Sequence, residues 1–393
     1  MTDSFPTEHV HELDSHSCGS VHPAPRLTEL LLTGESDSLS SAGVLQMPQS
    51  SGMRPIPQKV PHVNIPRDFH FSKFSPAMLL RAKQARNIRI SVGIPILNEG
   101  LTIGEIVRQI RTVLMEETPL IDELAVIDSG STDGSQEIAA AAGARVFRPE
   151  DGFITFGNVQ GKGENLWRSL YYLSGDIIVW VDGDIRNFTA AYVSGLLGPL
   201  LTEDGVVYST AYYERPLQFD GVPMLPHEGG RVTELLVRPF ITCVMPELAS
   251  IKQPIAGEHA GYRSVLETLR FFTAYQVDLG ILIDIAKYYG LGCIAQVNLE
   301  RRIHRNRPLI SLHKEAVGIL GALLVRAQEW NKLRYIPDRF SPVPPPPIAS
   351  ATIAHSAEVL ERPPMATVPE YQTLRVLQSS TDGLQRQGLC ATI

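Results

Sequence analysis

The sequence predicts a domain of the α/β class, in which helices cover both faces of one sheet. Short apolar runs alternate with segments of helical spacing from residue 88 onward. The run at 176–181 carries Val, Ile and Trp at both odd and even positions, which is typical of a strand buried on both faces. This alternation favours parallel strands joined by right-handed crossovers.

Strands and helices alternate regularly in the first half of the chain and less regularly in the second. Thr102 fits the capping position of the first predicted helix. Strands are predicted at 88–95, 123–128, 145–147, 176–181, 205–213 and 293–297. Helices are predicted at 102–115, 135–142, 164–173, 233–245, 264–272, 279–289 and 312–333.

Three regions are expected along the 393-residue chain. Residues 1–85 are rich in Ser, Pro, His and Gly, and we expect a mostly flexible N-terminal extension. Residues 86–339 contain the predicted strands and helices, and we expect them to form one folded domain. Residues 340–393 begin with a proline run at 342–347, which disfavours regular structure, and form a Pro-rich C-terminal tail.

The composition limits the classes of function. Hydrophobic residues make up 44% of the chain and charged residues 20%, which is sufficient for a packed core. The net charge of −7 argues against a general nucleic-acid-binding protein. The longest apolar stretches, such as 317–325, are too short to span a bilayer. Because the chain has four cysteines without metal-like spacing and no signal peptide after Met1, we expect a cytoplasmic protein.

The segment Asp182-Gly183-Asp184 is the most informative motif of the chain. It follows the predicted strand at 176–181, at the sheet edge where open α/β folds bind ligands. Two neighbouring carboxylates are suited to a divalent cation that also takes phosphate oxygens. The motif therefore indicates a nucleotide-sugar site, although helix capping explains an isolated motif of this length equally well.

Two polar loops are predicted at the same edge of the sheet. Pro95–Glu99 follows the first strand, and Asp128–Asp133 follows the second. Their backbone groups and short polar side chains can hold a nucleobase and a ribose. Ordinary turn formation accounts for either loop alone. Their occurrence ahead of the acidic motif favours a binding function.

Two glycine-containing segments that precede helices are candidate anion sites. Gly161–Asn165 contains Lys162, which can offer a point charge to a phosphate, but the segment lacks the spacing of a P-loop. Gly229–Thr233 combines helix-start amides with an arginine and a hydroxyl, and indicates a second anion pocket. A simple helix start is the alternative for both segments.

Two residues of the second half are further candidates. His304 can complete a metal site begun by Asp184, although a single histidine is more often structural. Asp278 begins an apolar helix, where the helix dipole favours a carboxylate, and it is also suited to bind a sugar hydroxyl.

Together these motifs resemble the retaining GT-A glycosyltransferases that make glucosyl-3-phosphoglycerate, and the mannosyl-3-phosphoglycerate synthases of the same group. The resemblance runs from about Ile88 to Leu309 and implies a GT-A, Rossmann-like mixed sheet flanked by helices. The segments that carry it are Pro95…Glu99, Asp128–Asp133, Gly161–Glu164, Leu166–Leu170, Val181–Asp184, Gly229–Leu235, Ala295–Asn298 and His304–Leu309.

The resemblance also implies roles for individual residues. The nucleotide-sugar positions are Pro95, Leu97, Glu99, Ser129, Lys162, Asp182 and Gly183. The acceptor positions are Gly230, Arg231, Thr233 and Asn306. The metal ligands are Asp184 and His304, and the catalytic set is Asp182, Asp184, Asp278 and Lys162. The chain departs from the family at Gly183, where Ser is common, and at Asp278, where Glu is usual.

The implied reaction transfers glucose from UDP-glucose, or another nucleoside diphosphate glucose, to the 2-hydroxyl of 3-phosphoglycerate with retention of configuration. Mg²⁺ or Mn²⁺ is implied as the cofactor that neutralises charge on the leaving diphosphate. Because no side chain is an obvious nucleophile, we expect a same-face substitution without a covalent glycosyl-enzyme.

Several alternatives remain at the level of sequence. The shorter carboxylate at position 278 leaves open a mannosyl-3-phosphoglycerate synthase that uses GDP-mannose. A related family-2-like glycosyltransferase with another acceptor, and a nucleotide-sugar-binding regulator without activity, are the other two. For the enzyme we expect a homodimer with no nucleic-acid or membrane partner.

Overall fold

One large mixed sheet organises the described part of the protein. The computed structural model describes residues 65–151, 156–157, 159–217, 225–226, 228–304, 309–333 and 359–386. The strands are β1 (Arg67–His70), β2 (Ile90–Ile96), β3 (Glu123–Asp128), β4 (Arg145–Phe147), β5 (Ile177–Trp180), β6 (Tyr208–Glu214), β7 (His259–Tyr262), β8 (Phe271–Phe272), β9 (Ile294–Arg301) and β10 (Glu361–Arg362).

The large sheet has eight strands in the order β1-β9-β6-β7-β5-β2-β3-β4. Only β7 among them runs antiparallel to its neighbours β5 and β6, and the other pairs are parallel. Strands β8 and β10 form a separate antiparallel pair. The mixed sheet confirms the predicted fold class, and β7 is the strand that makes it mixed.

Helices connect these strands on both faces of the sheet. They are α1 (Pro76–Arg86), α2 (Ile103–Arg111), α3 (Ser135–Ala141), α4 (Lys162–Tyr172), α5 (Ala191–Thr202), α6 (Arg238–Val244), α7 (Arg263–Leu266), α8 (Val277–Tyr289), α9 (Leu309–Glu329) and α10 (Pro369–Arg386). A π-helical segment at Thr112–Glu117 extends α2, and another at Thr233–Val237 precedes α6.

Two apolar cores, one on each face, explain why the strands are apolar at every position. Ile177 and Val179 of β5 face one core, whereas Ile178 and Trp180 face the other. All four side chains are fully buried. Both faces of β5 are thereby removed from water. Residue 182 follows the carboxyl end of this strand, and so lies at the edge of the sheet.

Regular structure begins before the predicted boundary at residue 86. Strand β1 adds a parallel edge to β9, and α1 packs against α5. Ser75 caps α1 by accepting a hydrogen bond from the Met78 amide at 3.4 Å. The side chains of β1 are only partly buried, as on an edge strand, so this stretch lacks the apolar run by which strands are recognised.

The region predicted as a Pro-rich tail, 340–393, contains a strand and a helix within the described residues 359–386. Strand β10 pairs with β8, and Met365, Val368 and Tyr371 are buried in the same core as Trp180. The predicted helix at 264–272 is correspondingly replaced by α7 and the short strand β8. The partner of β8 is β10, which lies about 90 residues further along the chain, and local periodicity carries no signal of such a pairing.

Arg362 ties this C-terminal segment to helix α4. It donates two hydrogen bonds to Glu164, at 2.7 and 3.1 Å, and both side chains are buried. Trp167 of the same helix donates to the Pro363 carbonyl at 2.9 Å. Since Lys162 begins α4, the segment holds in place the helix that enters the candidate site.

The Arg362→Met variant tests this connection. Removing the guanidinium leaves the buried Glu164 carboxylate with Arg168 as its ion-pair partner, so the free energy of unfolding should fall by about 3 kcal/mol. Urea denaturation followed by circular dichroism measures the change. Arg375→Met, which removes an arginine bonded to Gln378 on α10, should cost less than about 0.5 kcal/mol. Equal losses for the two variants would contradict the proposed connection.

Candidate active site

The acidic motif lies where the sequence predicts it, directly after β5 at the carboxyl edge of the sheet. Thr102 at the start of α2 donates a hydrogen bond to the Gly183 carbonyl at 2.5 Å. A Cβ on Gly183 would approach the Ile96 side chain to 2.8 Å, and one on Gly257 would approach Asp182 Oδ2 to 2.0 Å. The two glycines therefore allow the motif to fit between β2 and the loop before β7.

The loops after β2 and β3 are hydrogen-bonded to each other. The Asn98 side chain accepts from the Thr132 amide at 2.8 Å, and the Glu99 amide donates to the Ser135 hydroxyl at 2.8 Å. Asp128 accepts from the amides of its own turn, at Gly130 and Ser131. The Asp128 contacts stabilise a turn. The contacts of Asn98 and Glu99 hold the two loops together as one wall of a cavity.

Lys162 is paired with two carboxylates. Its Nζ lies 2.8 Å from Asp182 Oδ1 and 2.9 Å from Asp278 Oδ2, and it donates to the Gly257 carbonyl at 3.3 Å. The lysine side chain is 8% exposed. Burial alone would lower the pKa of Lys162, but the two carboxylates outweigh it and raise that pKa. The ammonium group is therefore charged at every ordinary pH.

Arg302, which sequence reasoning missed, joins the two aspartates of the motif. One of its terminal nitrogens lies 2.8 Å from Asp182 and 2.8 Å from Asp184, and its Nε lies 3.1 Å from Glu258. Burial raises the pKa of Asp182, but Lys162 and Arg302 outweigh it and hold that pKa well below its usual range. The Asp182 carboxylate is thus ionised, and the two carboxylates of the motif share one guanidinium.

The sequence pattern underestimates the length of the strand that leads to Arg302. The strand predicted at 293–297 extends in the structure to residue 301, so that Arg302 is the first residue past its end. Glu258 directly precedes β7 and His259 begins it, and the His-Ala-Gly-Tyr sequence of this strand carries no strand pattern. These residues meet the motif through sheet register, which the sequence alone does not reveal.

Asp278 has both carboxylate oxygens engaged. Oδ2 pairs with Lys162, and Oδ1 lies 3.1 Å from His259 Nε2 in the buried interior. It stands in the first turn of α8, so the helix-dipole interpretation and the site interpretation both describe its position.

The predicted nucleotide-sugar residues line one cavity of about 760 Å³. Helix α9, together with Ala274 and Gln276, lines the same cavity as the β2 and β3 loops. We call this space the donor cavity. The predicted residues that line it are Pro95, Leu97, Glu99, Ser129, Lys162, Asp182 and Gly183.

A second cavity, of about 180 Å³, adjoins the first and is called the acceptor cavity. The two cavities share Lys162, Asp182 and Asp184 in their linings. Predicted residues that line the acceptor cavity include Gly230, Arg231, Thr233, Asp278 and His304. Asn306 lies outside the described residues.

The side chains of Asp184 and His304 fit a divalent cation that binds together with a diphosphate. Asp184 and His304 line the same cavity, and Asp184 Oδ1 accepts from Arg302. Within the described part of the chain, Asp184 Oδ2 accepts no hydrogen bond and is available to a cation. No cluster of three or more His, Cys, Asp or Glu side chains suited to a metal was found among the described residues. Two protein ligands suit Mg²⁺ or Mn²⁺, which take their remaining ligands from phosphate and water.

Comparison with known proteins assigns the fold and the family. The model of glycosyl transferase family 2 matches residues 91–253. Glucosyl-3-phosphoglycerate synthase of Petrotoga mobilis is 44% identical over 310 residues, which are 78% of this chain and 95% of the relative. The chain belongs to the glucosyl-3-phosphoglycerate synthase family. The homologue from Mycolicibacterium smegmatis is 44% identical over 64% of this chain and 80% of its own length.

Solved structures of this family show what such a site binds. A glucosyl-3-phosphoglycerate synthase of Mycobacterium tuberculosis, crystallised with Mn²⁺, UDP-glucose and phosphoglyceric acid, is 36% identical with a TM-score of 0.67. The alignment covers 77% of this chain and 98% of that one. The complex of the same enzyme with Mg²⁺ and UDP is 37% identical, also with a TM-score of 0.67, and covers 76% and 98%. This family relationship makes the protein a metal-dependent glycosyltransferase of GT-A fold, as the sequence predicts.

The Gly257→Ala variant tests whether the position of Asp182 matters for glycosyl transfer. The added methyl group would overlap Asp182 Oδ2 and push that carboxylate away from Lys162 and Arg302. A displacement of about 1 Å in an active site reduces the rate by about 100-fold, so kcat should fall by that order. Gly104→Ala in α2, whose methyl group would meet the Ile138 side chain at 2.9 Å and no residue of the acidic motif, serves as the matched control. Retention of full activity by Gly257→Ala would exclude the tight fit as a requirement.

Proposed function

We propose that this protein transfers glucose from UDP-glucose to the 2-hydroxyl of 3-phosphoglycerate, with retention at the anomeric carbon and with Mg²⁺ or Mn²⁺. The observation that carries the proposal is the junction of the two cavities at Lys162, Asp182 and Asp184. A donor bound in the larger cavity and an anionic acceptor in the smaller one have their reacting atoms adjacent to these residues.

The donor cavity suits a nucleoside diphosphate sugar. The joined loops after β2 and β3 present backbone groups and Ser129 to the base and ribose. Asp182 and Gly183 line the same cavity, and the proposal places the diphosphate beside them. Lys162 contributes less free charge than its sequence context suggests, because two carboxylates already neutralise it. We therefore assign Lys162 mainly to orienting Asp182 and Asp278.

The acceptor cavity suits a small anion. Arg231 and the Gly230 amide lie at the start of a helical segment, where exposed amides favour negative charge. The Thr233 hydroxyl is buried without a hydrogen bond to any described residue, which suits a donor reserved for a ligand. Asn306 is proposed as a further acceptor ligand on the strength of the sequence motif alone.

The residues of the chain act by holding and orienting the reactants. Arg302 keeps the two aspartates of the motif in fixed positions, so that Asp184 with His304 can hold the cation. The bound cation supplies charge neutralisation on the departing diphosphate. Asp278 is 6% exposed and already carries two hydrogen-bonded partners, so it is poorly placed to act as a covalent nucleophile. The acceptor hydroxyl therefore attacks from the face that the diphosphate leaves, and a leaving phosphate oxygen takes its proton.

Glucose is favoured over mannose as the transferred sugar. The family relatives carry the name glucosyl-3-phosphoglycerate synthase, and a solved complex contains UDP-glucose. The shortened carboxylate at position 278 does not overturn this preference, because both of its oxygens remain engaged with Lys162 and His259.

A homodimer and a cytoplasmic location form part of the proposal. Leu235, which is 76% exposed next to α6, supports a subunit contact on that side. Cys243 and Cys293 are free thiols, as expected in a reducing compartment. None of the described helices is long and apolar enough to cross a membrane.

Product formation tests the proposed reaction. The purified protein is incubated with 3-phosphoglycerate and Mg²⁺ or Mn²⁺, with UDP-glucose or GDP-mannose in separate reactions. Glucosyl-3-phosphoglycerate with the α configuration, identified by proton NMR, should form from UDP-glucose and not from GDP-mannose. Mannosyl product, or a covalent glycosyl-enzyme trapped on a carboxylate, would contradict the proposal.

Asp184→Asn tests the metal ligand. An amide oxygen binds a divalent cation less strongly than a carboxylate, so kcat/KM should fall by about 100-fold and saturation should require more Mn²⁺. The control is Asp204→Asn, which removes the same charge from an exposed loop. An unchanged Mn²⁺ requirement in Asp184→Asn would remove this residue from the metal site.

A further inference from the structure

Arg215 lines the acceptor cavity, although no motif of the sequence drew attention to it. It directly follows β6, and its carbonyl accepts a hydrogen bond from the Gly229 amide at 2.9 Å. A terminal nitrogen donates to the Tyr213 hydroxyl at 3.0 Å, and the guanidinium lies 5.0 Å from the centre of that ring. The arginine is therefore fixed at both its backbone and its side chain.

The charge of Arg215 is not balanced by the described part of the protein. Two other cations of the same cavity, Lys162 and Arg302, form ion pairs with carboxylates at 3.1 Å or less. Arg215 forms no ion pair with any described acidic residue, and its buried Nε has no hydrogen-bond partner among them. A buried donor without a partner is unfavourable, which makes this group a candidate for binding an anion.

The position of Arg215 between two parts of the site indicates which anion. On one side Gly229 begins the segment that contains Arg231 and Thr233. On the other side the Tyr213 hydroxyl donates to Glu258, which pairs with Arg302 beside the acidic motif. Burial raises the pKa of Tyr213 to about 12, so its hydroxyl keeps the proton that it donates. Arg215 thus lies between the anion-binding segment and the residues of the reaction centre.

The acceptor of the proposed reaction carries two anionic groups at different distances from the reacting hydroxyl. Its carboxylate is attached to the carbon that bears this hydroxyl, whereas its phosphate is separated from that carbon by a methylene group and an oxygen. The group nearer the reaction centre is consequently the carboxylate, and a guanidinium can bind a carboxylate through two parallel hydrogen bonds.

We propose that Arg215 binds the carboxylate of the acceptor, while Arg231 and Thr233 bind its phosphate. The proposal rests on the proposed function and deepens it. Arg215 selects a 2-hydroxy carboxylate over a phosphorylated alcohol of the same length, and it orients the hydroxyl that reacts.

Inhibition by truncated acceptors tests the assignment. Racemic glycerol 3-phosphate keeps the phosphate and lacks the carboxylate, and D-glycerate keeps the carboxylate and lacks the phosphate. For the wild type, Arg215→Gln and Arg215→Lys, we would measure KM for 3-phosphoglycerate, KM for UDP-glucose, and the inhibition constants of both compounds.

The expected pattern is selective. In Arg215→Gln, KM for 3-phosphoglycerate should rise by about 30- to 100-fold, in the range of a lost charge-assisted hydrogen bond in a buried site. The inhibition constant of D-glycerate should rise with it, whereas that of glycerol 3-phosphate and KM for UDP-glucose should change by less than threefold. Arg215→Lys should recover part of the affinity for 3-phosphoglycerate, because it restores charge without the paired geometry.

Two other patterns would overturn the assignment. Equal weakening of 3-phosphoglycerate and glycerol 3-phosphate would place the phosphate, and not the carboxylate, at Arg215. No change in KM for 3-phosphoglycerate would show that Arg215 binds no part of the acceptor. If D-glycerate does not inhibit even the wild type, the rise in KM without a change for glycerol 3-phosphate still decides between the two ends.

Controls separate this proposal from the proposed function and from misfolding. Wild-type protein that forms no product from 3-phosphoglycerate would refute the proposed function itself, before any variant is compared. Arg145→Gln, which removes an exposed arginine paired with Glu123, should leave all four constants unchanged. Near-ultraviolet circular dichroism of Arg215→Gln should match the wild type, and a lost signal would move the comparison to Arg215→Lys.

Discussion

Lys162 lies buried between Asp182 and Asp278, and the other charged groups of the site are arranged around this pairing. Two carboxylates removed from water are stable only with cations and hydrogen-bond donors in good geometry. Lys162 supplies one cation, and Arg302 supplies a second, shared between Asp182 and Asp184. Because these contacts are made within the protein, the acidic motif is in position before substrate and metal bind.

This arrangement changes the role that the sequence assigns to Lys162. A lysine that follows a glycine at a helix start suggests a free charge for a phosphate. In the structure that charge is already balanced, whereas Arg215 in the acceptor cavity forms no ion pair with any acidic residue that the structure describes. A cation without an acidic partner can bind an anionic ligand, whereas an ion-paired cation mainly orients its partners. Only three-dimensional contacts distinguish the two.

The sequence predicts well the parts of the site that depend on local pattern. The apolar strand before Asp182 fixes the edge at which the motif lies, and turn residues mark the loops that form the donor cavity. Residues brought in by sheet register could not be found this way. Glu258 precedes a strand without strand-like residues, and Arg302 follows a strand whose length the sequence underestimates. The sequence pattern does not predict strand β10, because its partner β8 is distant along the chain.

The C-terminal segment is connected to the active site by backbone hydrogen bonds, although it lies far from the site in sequence. Thr273 donates to the Leu360 carbonyl at 3.0 Å and accepts from the Glu164 amide at 2.9 Å. The segment is thereby joined to the helix that begins at Lys162 and to the loop that leads into α8. Local packing outside the cavities thus fixes the distance between Lys162 and Asp278.

The most direct measurement of the central claim is a crystal structure with Mn²⁺, UDP-glucose and 3-phosphoglycerate, recorded with anomalous scattering. The account predicts an Mn²⁺ peak between the Asp184 carboxylate, the His304 imidazole and the diphosphate, with Lys162 still bound to Asp182 and Asp278. An Mn²⁺ peak away from Asp184, or a Lys162 that leaves its carboxylates to bind the diphosphate, would contradict it.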